Sequence, residues 1–211
     1  MKLSKLLYLS IKDVVYNNDS SFTYENFMEG SFDNDIELSL QINNCFSPLN
    51  AAISRLLDLD RIPYRYEKIN GVSADLTEFA YPVKEIVGVH NGKEAVGFKQ
   101  FGNEIVLLWS TNAFVEYKED IKQFSKEDLV PLEYEEDGSY QDKNIELKDF
   151  GIAESMASYI CEYVKGKLLE PIAPEMANLH ISTAENYFMN IMPNRKNSLQ
   201  SVVQHKYNIG D

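Results

Sequence analysis

Residues 157–180 read ASYICEYVKGKLLEPIAPEMANLH, an apolar-periodic run that meets Pro171, restarts at Pro174 and carries few groups suited to chemistry. Proline cannot continue a helix interior, because it lacks the N–H and its ring meets the preceding turn, but it suits a first helical position. The spacing therefore predicts two helices. In the first, Asp149 is the expected cap, Ile152, Met156, Tyr159, Ile160, Tyr163 and Val164 form one face, and Pro171 is the stop. In the second, Pro174 and Glu175 occupy the first turn, Met176, Leu179, Ala184, Tyr187, Phe188 and Ile191 point inward, and Pro193 is the stop. So short a link makes them an antiparallel αα-hairpin spanning 149–193.

Working toward the N-terminus, residues 116–149 hold 12 acidic residues against five lysines, so this stretch carries over half of the net charge of −13. Pro131 and Gly138 interrupt it, and 119–148 reads as an acidic loop or linker. Before it, VKEIVGVHNGKEAVGFKQFGNEIVLLW (83–109) places Asn91-Gly92 and Gly102-Asn103 between runs of Val, Ile and Phe. Such pairs accept the positive φ of tight hairpin turns. With IPYRYEKI (62–69) as a further strand, 63–118 is expected to be a small antiparallel β insertion. Its glycines are turn glycines. Asn103 and Glu104 follow Gly102 where a phosphate loop needs Gly-Lys-Ser/Thr.

Residues 1–62 read as an N-terminal helical part with an arm. Leu3, Leu6, Leu7, Ile11, Val14 and Val15 recur at helical spacing, with Lys2, Lys5 and Lys12 outside. The polar stretch 17–35 has no period and reads as a loop or extended arm. Ile36, Leu38, Leu40 and Ile42 alternate as in a strand, yet Ile36 and Leu40 also share a helix face, and helix is preferred. A separate helix is expected from Ser47 as cap and Pro48 as first residue, with Leu49, Ala52, Ile53, Leu56 and Leu57 as its stripe. Residues 194–211 are polar and read as a C-terminal arm. The expected fold class is thus α+β, mainly α: an antiparallel helical bundle with a small antiparallel β insertion and extended terminal arms.

Composition excludes some functions and leaves others open. A chain that is 44% hydrophobic, with 13 Tyr and 11 Phe, has the material for a core. The acidic balance argues against non-specific nucleic-acid binding, which draws its affinity from lysine and arginine releasing condensed counterions. Cys45 and Cys161 are far apart in apolar surroundings and read as buried thiols. No signal-peptide pattern opens the chain, since Lys12 and Asp13 cut the apolar stretch short, and no run suits a membrane span. A cytosol-like compartment, or something assembled there, is expected.

The search for catalysis singles out no residue as catalytic, cofactor-binding or metal-binding. His90 abuts a turn, His180 lies within a helix and His205 in the tail, and none has a second ligand at a metal-binding interval. Glu154, Glu162 and Glu170 are expected on an exposed helix side. Ser155 and Ser158 lack the Gly-x-Ser-x-Gly setting of a nucleophile, and Cys161 lies on an apolar face. A protein that works by contact is expected, with no cofactor.

The order of these pieces, with FAYPVKEIVGVHNGK (79–93) leading into the insertion and the hairpin from Gly151 to Met192, resembles the head-to-tail adaptor, or connector ring, proteins of tailed bacteriophages. The likeness covers about Phe32 to Pro193. It implies a structural virion protein in the phage neck, assembled in the host cytoplasm. Its copies would form a homo-oligomeric ring that joins the portal protein to other neck or tail proteins and lets DNA pass, without sequence-specific binding or a membrane. It transfers no site residue, because that family works through interfaces. The alternatives are a tail-completion or stopper protein of the same particle, an acidic inhibitor of a DNA-binding enzyme, or an enzyme whose site carries no known motif.

Overall fold

The computed structural model describes residues 1–14, 21–32 and 35–193. The chain divides into two compact units, a helical one from 1–62 and 122–193 and a β unit from 63–121. The elements are α1 (Leu3–Val14), α2 (Tyr24–Phe32), α3 (Ile36–Asp58), β1 (Arg65–Asn70), β2 (Ser73–Asp75), β3 (Val83–His90), β4 (Phe98–Phe101), β5 (Glu104–Leu107), β6 (Asn112–Glu119), β7 (Glu133–Tyr134), β8 (Tyr140–Gln141), α4 (Glu154–Leu169) and α5 (Pro174–Asn190).

The expectation of a mainly α bundle with a small β insertion is corrected by this arrangement. Strands in three antiparallel sheets take 22% of the described residues against 46% in helices, so the β part is no decoration on a bundle. The physical reason is that 63–121 has a hydrophobic core of its own, which includes Ile69, Val89, Val96, Ile105, Val115 and Tyr117. Two three-stranded sheets, ordered β1-β6-β3 and β2-β5-β4, supply it. Gly102, at φ +59°, turns β4 into β5 by the expected two-residue loop, with Phe101 opposite Glu104. The Asn91-Gly92 turn is longer. Asn91 Oδ1 accepts from the backbone N–H groups of Lys93 and Glu94, and the loop closes at a His90–Ala95 bridge.

In the helical unit, α4 is the central helix and packs against α1, α3 and α5. Its buried residues, among them Met156, Tyr159, Cys161, Val164 and Lys165, point to more than one side, as they must in a helix enclosed by neighbours. α4 begins at Glu154 and is not capped by Asp149. That residue lies instead in a 3-10 turn, Leu147–Phe150, which Gly151 closes in the left-handed conformation at φ +70°.

The two helices expected on either side of Pro48 form one, α3, capped by the Asp35 side chain, which accepts from the Leu38 N–H at 2.9 Å. Leu38, Ile42, Cys45, Leu49, Ile53 and Leu56 are all buried at intervals of three or four, so the apolar stripe passes the proline without a break. Proline in a helix interior costs roughly 3 kcal/mol. Burying a leucine or isoleucine side chain contributes about 2 kcal/mol, so the stripe outweighs the defect.

The stretch read as an N-terminal arm is also corrected. Tyr24–Phe32 is helix α2, held by an aromatic cluster in which Phe27 is fully buried, its ring 5.7 Å from that of Tyr8 and 6.4 Å from that of Tyr24. Residues 15–20 and 33–34, and the C-terminal arm 194–211, lie outside the described residues. Between β6 and α4 in the chain, 122–149 is mostly irregular, with a 3-10 turn at Lys126–Asp128 and the β7–β8 hairpin. It is fastened by Asn144, whose amide group both donates to and accepts from the Val130 backbone, and by Tyr24, which donates to Asp142 at 2.8 Å.

Candidate functional site

The polar groups that sequence spacing left apart are partly drawn together across α1, α4 and α5. Lys165, 7% exposed on α4, makes ion pairs with Asp13 of α1 and, at 2.8 Å, with Glu162 one turn back on α4. Glu162 also meets His180 Nδ1 of α5 at 2.7 Å. Burial alone would raise the Glu162 carboxyl, but hydrogen bonds from Lys165 and His180 hold it below the ordinary glutamate value. Burial likewise works against the Lys165 charge, and the neighbouring anions more than restore it. Glu162 is therefore not on an exposed side, and His180 does not stand alone. Their separation of 18 residues on antiparallel helices hid the pairing from any local motif.

The network fastens α1, α4 and α5 together. Each of its carboxylates is paired within it, and Cys161, 6% exposed beside it, has a thiol pushed up by burial, so it is a poor nucleophile. Cys45 is an unbridged buried thiol pushed up in the same way. Glu154 and Glu170 lie exposed, the latter paired with Lys167 at 2.9 Å. Ser158 donates to the Glu154 carbonyl within α4. Among the described residues no group of three or more His, Cys, Asp and Glu is placed to hold a metal ion, and no helix is long and apolar enough to cross a membrane. His205 lies outside the described residues.

The β unit offers two surface features. His90 stacks on Phe114 with centroids 5.7 Å apart, and Tyr66 meets His90 edge-on at 6.3 Å. Burial and a hydrogen bond to Glu116 push the Tyr66 hydroxyl up to about 12, so it remains a donor at neutral pH. An open groove of about 800 Å3 has Glu85 as the one acid among its lining residues, and Lys118 pairs with that acid at 3.1 Å. A lone, already paired carboxylate cannot serve as an acid–base couple.

The most pronounced surface feature is on α5. Ala177, Ala184 and Phe188 are buried, and Gly166 on α4 lets the two helices approach closely. Met176, Leu179 and Tyr187, expected to point inward, face outward instead at 51, 58 and 43% exposure, with Ile172 ahead of them at 75%. Positions 176, 179, 183 and 187 trace one helical stripe, with Thr183 its polar member, and Ile172 lies in the turn before the helix. α5 thus carries two apolar stripes and uses one of them within the chain. The signal was present in the sequence, since its apolar positions outnumber those a single face can bury. No lysine or arginine occurs on α5, whose charged residues are Glu175 and Glu185. α3 has a smaller patch of the same kind, with Ile36 83% and Leu40 57% exposed. The face that Ile36 and Leu40 share points outward, while Leu38 and Ile42 are buried.

No family model matches the chain, and no curated protein matches it.

Proposed function

We propose that this chain is a structural protein that works by contact, and that it forms a ring in the neck of a tailed bacteriophage, joining the portal to the tail. The observation that carries this reading is the outward stripe of Met176, Leu179 and Tyr187 on α5, with Ile172 exposed in the turn before it. A contiguous apolar strip on the outside of a folded unit is the mark of a surface completed by a partner. The charge network of Asp13, Lys165, Glu162 and His180 is used up in fastening helices, so the contact surface is the group of residues left with work to do.

The portal–tail placement rests on the resemblance to connector ring proteins, and two physical points support it. A ring needs a head-to-tail interface that closes by rotation, formed from two unlike patches on each copy. A net charge of −13 lets DNA pass a surface without many phosphate contacts.

Immunogold electron microscopy on intact and partly disrupted particles from the source, with antibody to this chain, tests the reading. Gold at the junction of head and tail is the expected result. A protein that stays in the soluble fraction and labels no particle removes it.

A further inference from the structure

We infer that residues 194–211 of one copy seat on the outward stripe of α5 in the next copy. The inference rests on the ring reading above and names the partner of that stripe. Three observations lead to it.

The first is the face itself. Met176, Leu179 and Tyr187 form an exposed apolar strip on a helix with no lysine or arginine, Ile172 lies exposed in the turn before it, and Glu175 stands in its first turn. An apolar segment with cations beside it is the chemistry that such a strip accepts. The second is the composition of 194–211, NRKNSLQSVVQHKYNIGD. It holds Arg195, Lys196 and Lys206 against Asp211 alone, the reverse of the acidic balance of the whole chain. Among these polar residues Leu199, Val202, Val203 and Tyr207 stand at intervals of three, one and four, the spacing of an amphipathic sequence. Basic and apolar residues are thus interleaved to suit an apolar, cation-free face.

The third is connectivity. The segment begins four residues after the end of α5, so every copy carries one face and one segment complementary to it. A segment that leaves one copy and seats on the next repeats the same unlike contact around a closed ring. Linkage in series also makes each contact dependent on two separate sites, which variants can break one at a time.

The test uses the full chain and two variants, Leu179→Lys on the face and Val203→Lys on the segment, each checked for native circular dichroism. Leu179 is exposed, so its substitution leaves the packed core intact. Sedimentation velocity of the unaltered chain is expected to show association that grows with concentration. Each variant alone should need at least tenfold more protein to associate. Mixed in equal amounts, the two should form a dimer and stop there, because Leu179→Lys keeps a sound segment and Val203→Lys a sound face.

A mixture that stays monomeric while the unaltered chain associates overturns the inference, as does a variant that associates like the unaltered chain. An unaltered chain that is monomeric at every concentration overturns it too. The neck reading fails separately: association that follows this pattern in a protein absent from particles keeps the contact and removes the neck.

Discussion

Gly166 on α4 lies so close to Ile181 on α5 that a β-carbon built at 166 would stand 2.6 Å from Cδ1 and 2.7 Å from Cγ1 of Ile181, and 3.2 Å from the Ala177 carbonyl oxygen. The absence of a side chain at 166, with Ala177 and Ala184 opposite, sets how near the two helices come and so which face of α5 is spent inside the chain.

A larger residue at 166 must therefore part the helices. Gly166→Val is expected to cost about 2 to 3 kcal/mol by overpacking. Gly166→Ala should cost less, because the flexible end of Ile181 can move and alanine returns about 1 kcal/mol of helix propensity. Urea midpoints of the two variants check the order, and equal midpoints for valine and glycine would show that the crossing has slack.

Lys165 joins Asp13 and Glu162, and its removal leaves two part-buried carboxylates short of their cation. Lys165→Met is expected to lower stability by about 2 kcal/mol, below the range for fully buried pairs because both acids keep some exposure to water. The pH dependence has a definite sign. Glu162 is held below its ordinary value of 4.5, so its contribution is complete above that pH and is lost as pH falls through the lower folded value. Lys165→Met reduces that depression. Thermal melts between about pH 6 and 3 should then show a shallower acid loss in the variant than in the unaltered chain.

How far the sequence disclosed this fold depends on the range over which each signal acts. Pro174 marked the start of α5, Gly102-Asn103 the β4–β5 turn, and Leu3, Leu6, Leu7 and Ile11 the buried face of α1, because each is a local pattern. α2 escaped although Tyr24, Phe27, Met28 and Phe32 fall at helical spacing, because the Asn, Asp, Ser and Gly around them read as loop. The helix is held by the packing of its own Tyr24 and Phe27 rings on Tyr8 of α1, a contact between separate stretches of chain. α3 was divided at Pro48 because a local rule was allowed to overrule the stripe that runs through it. The β unit was underestimated because the self-sufficiency of a core containing Ile69, Val96 and Val115 is a property of pairing, not of any one strand. Met176, Leu179 and Tyr187 are expected inward on the rule that apolar helical positions face the chain's own core, which a helix with a second, exposed apolar stripe violates. The Glu162–His180 pair lay beyond any spacing rule, since it depends on how α4 and α5 align.

Pro48 interrupts the hydrogen bonding of α3 without interrupting its stripe. Pro48→Ala is therefore expected to stabilise the chain by about 1 to 2 kcal/mol, restoring an N–H to the helix interior at the loss of a half-buried ring. A rise in thermal midpoint checks it, and a fall would mean that the ring itself is a needed packing element.

Trp109, the single tryptophan, lies against Gly97, where a β-carbon would clash with the indole. Gly97→Ala must displace that ring, already 66% exposed, further into water. The expected result is a red shift of intrinsic fluorescence with little loss of stability. An unchanged emission maximum would mean that the ring does not rest on position 97 in solution.

The central claim is that this chain acts as a ring whose copies meet through the outward face of α5. Cryo-electron microscopy of the head–tail junction of particles from its source tests it most directly. The account predicts a closed ring of copies of this chain between portal and tail, with Leu179 and Tyr187 buried at each subunit contact. A junction reconstructed without this chain, or a ring in which the α5 stripe faces solvent, would contradict it.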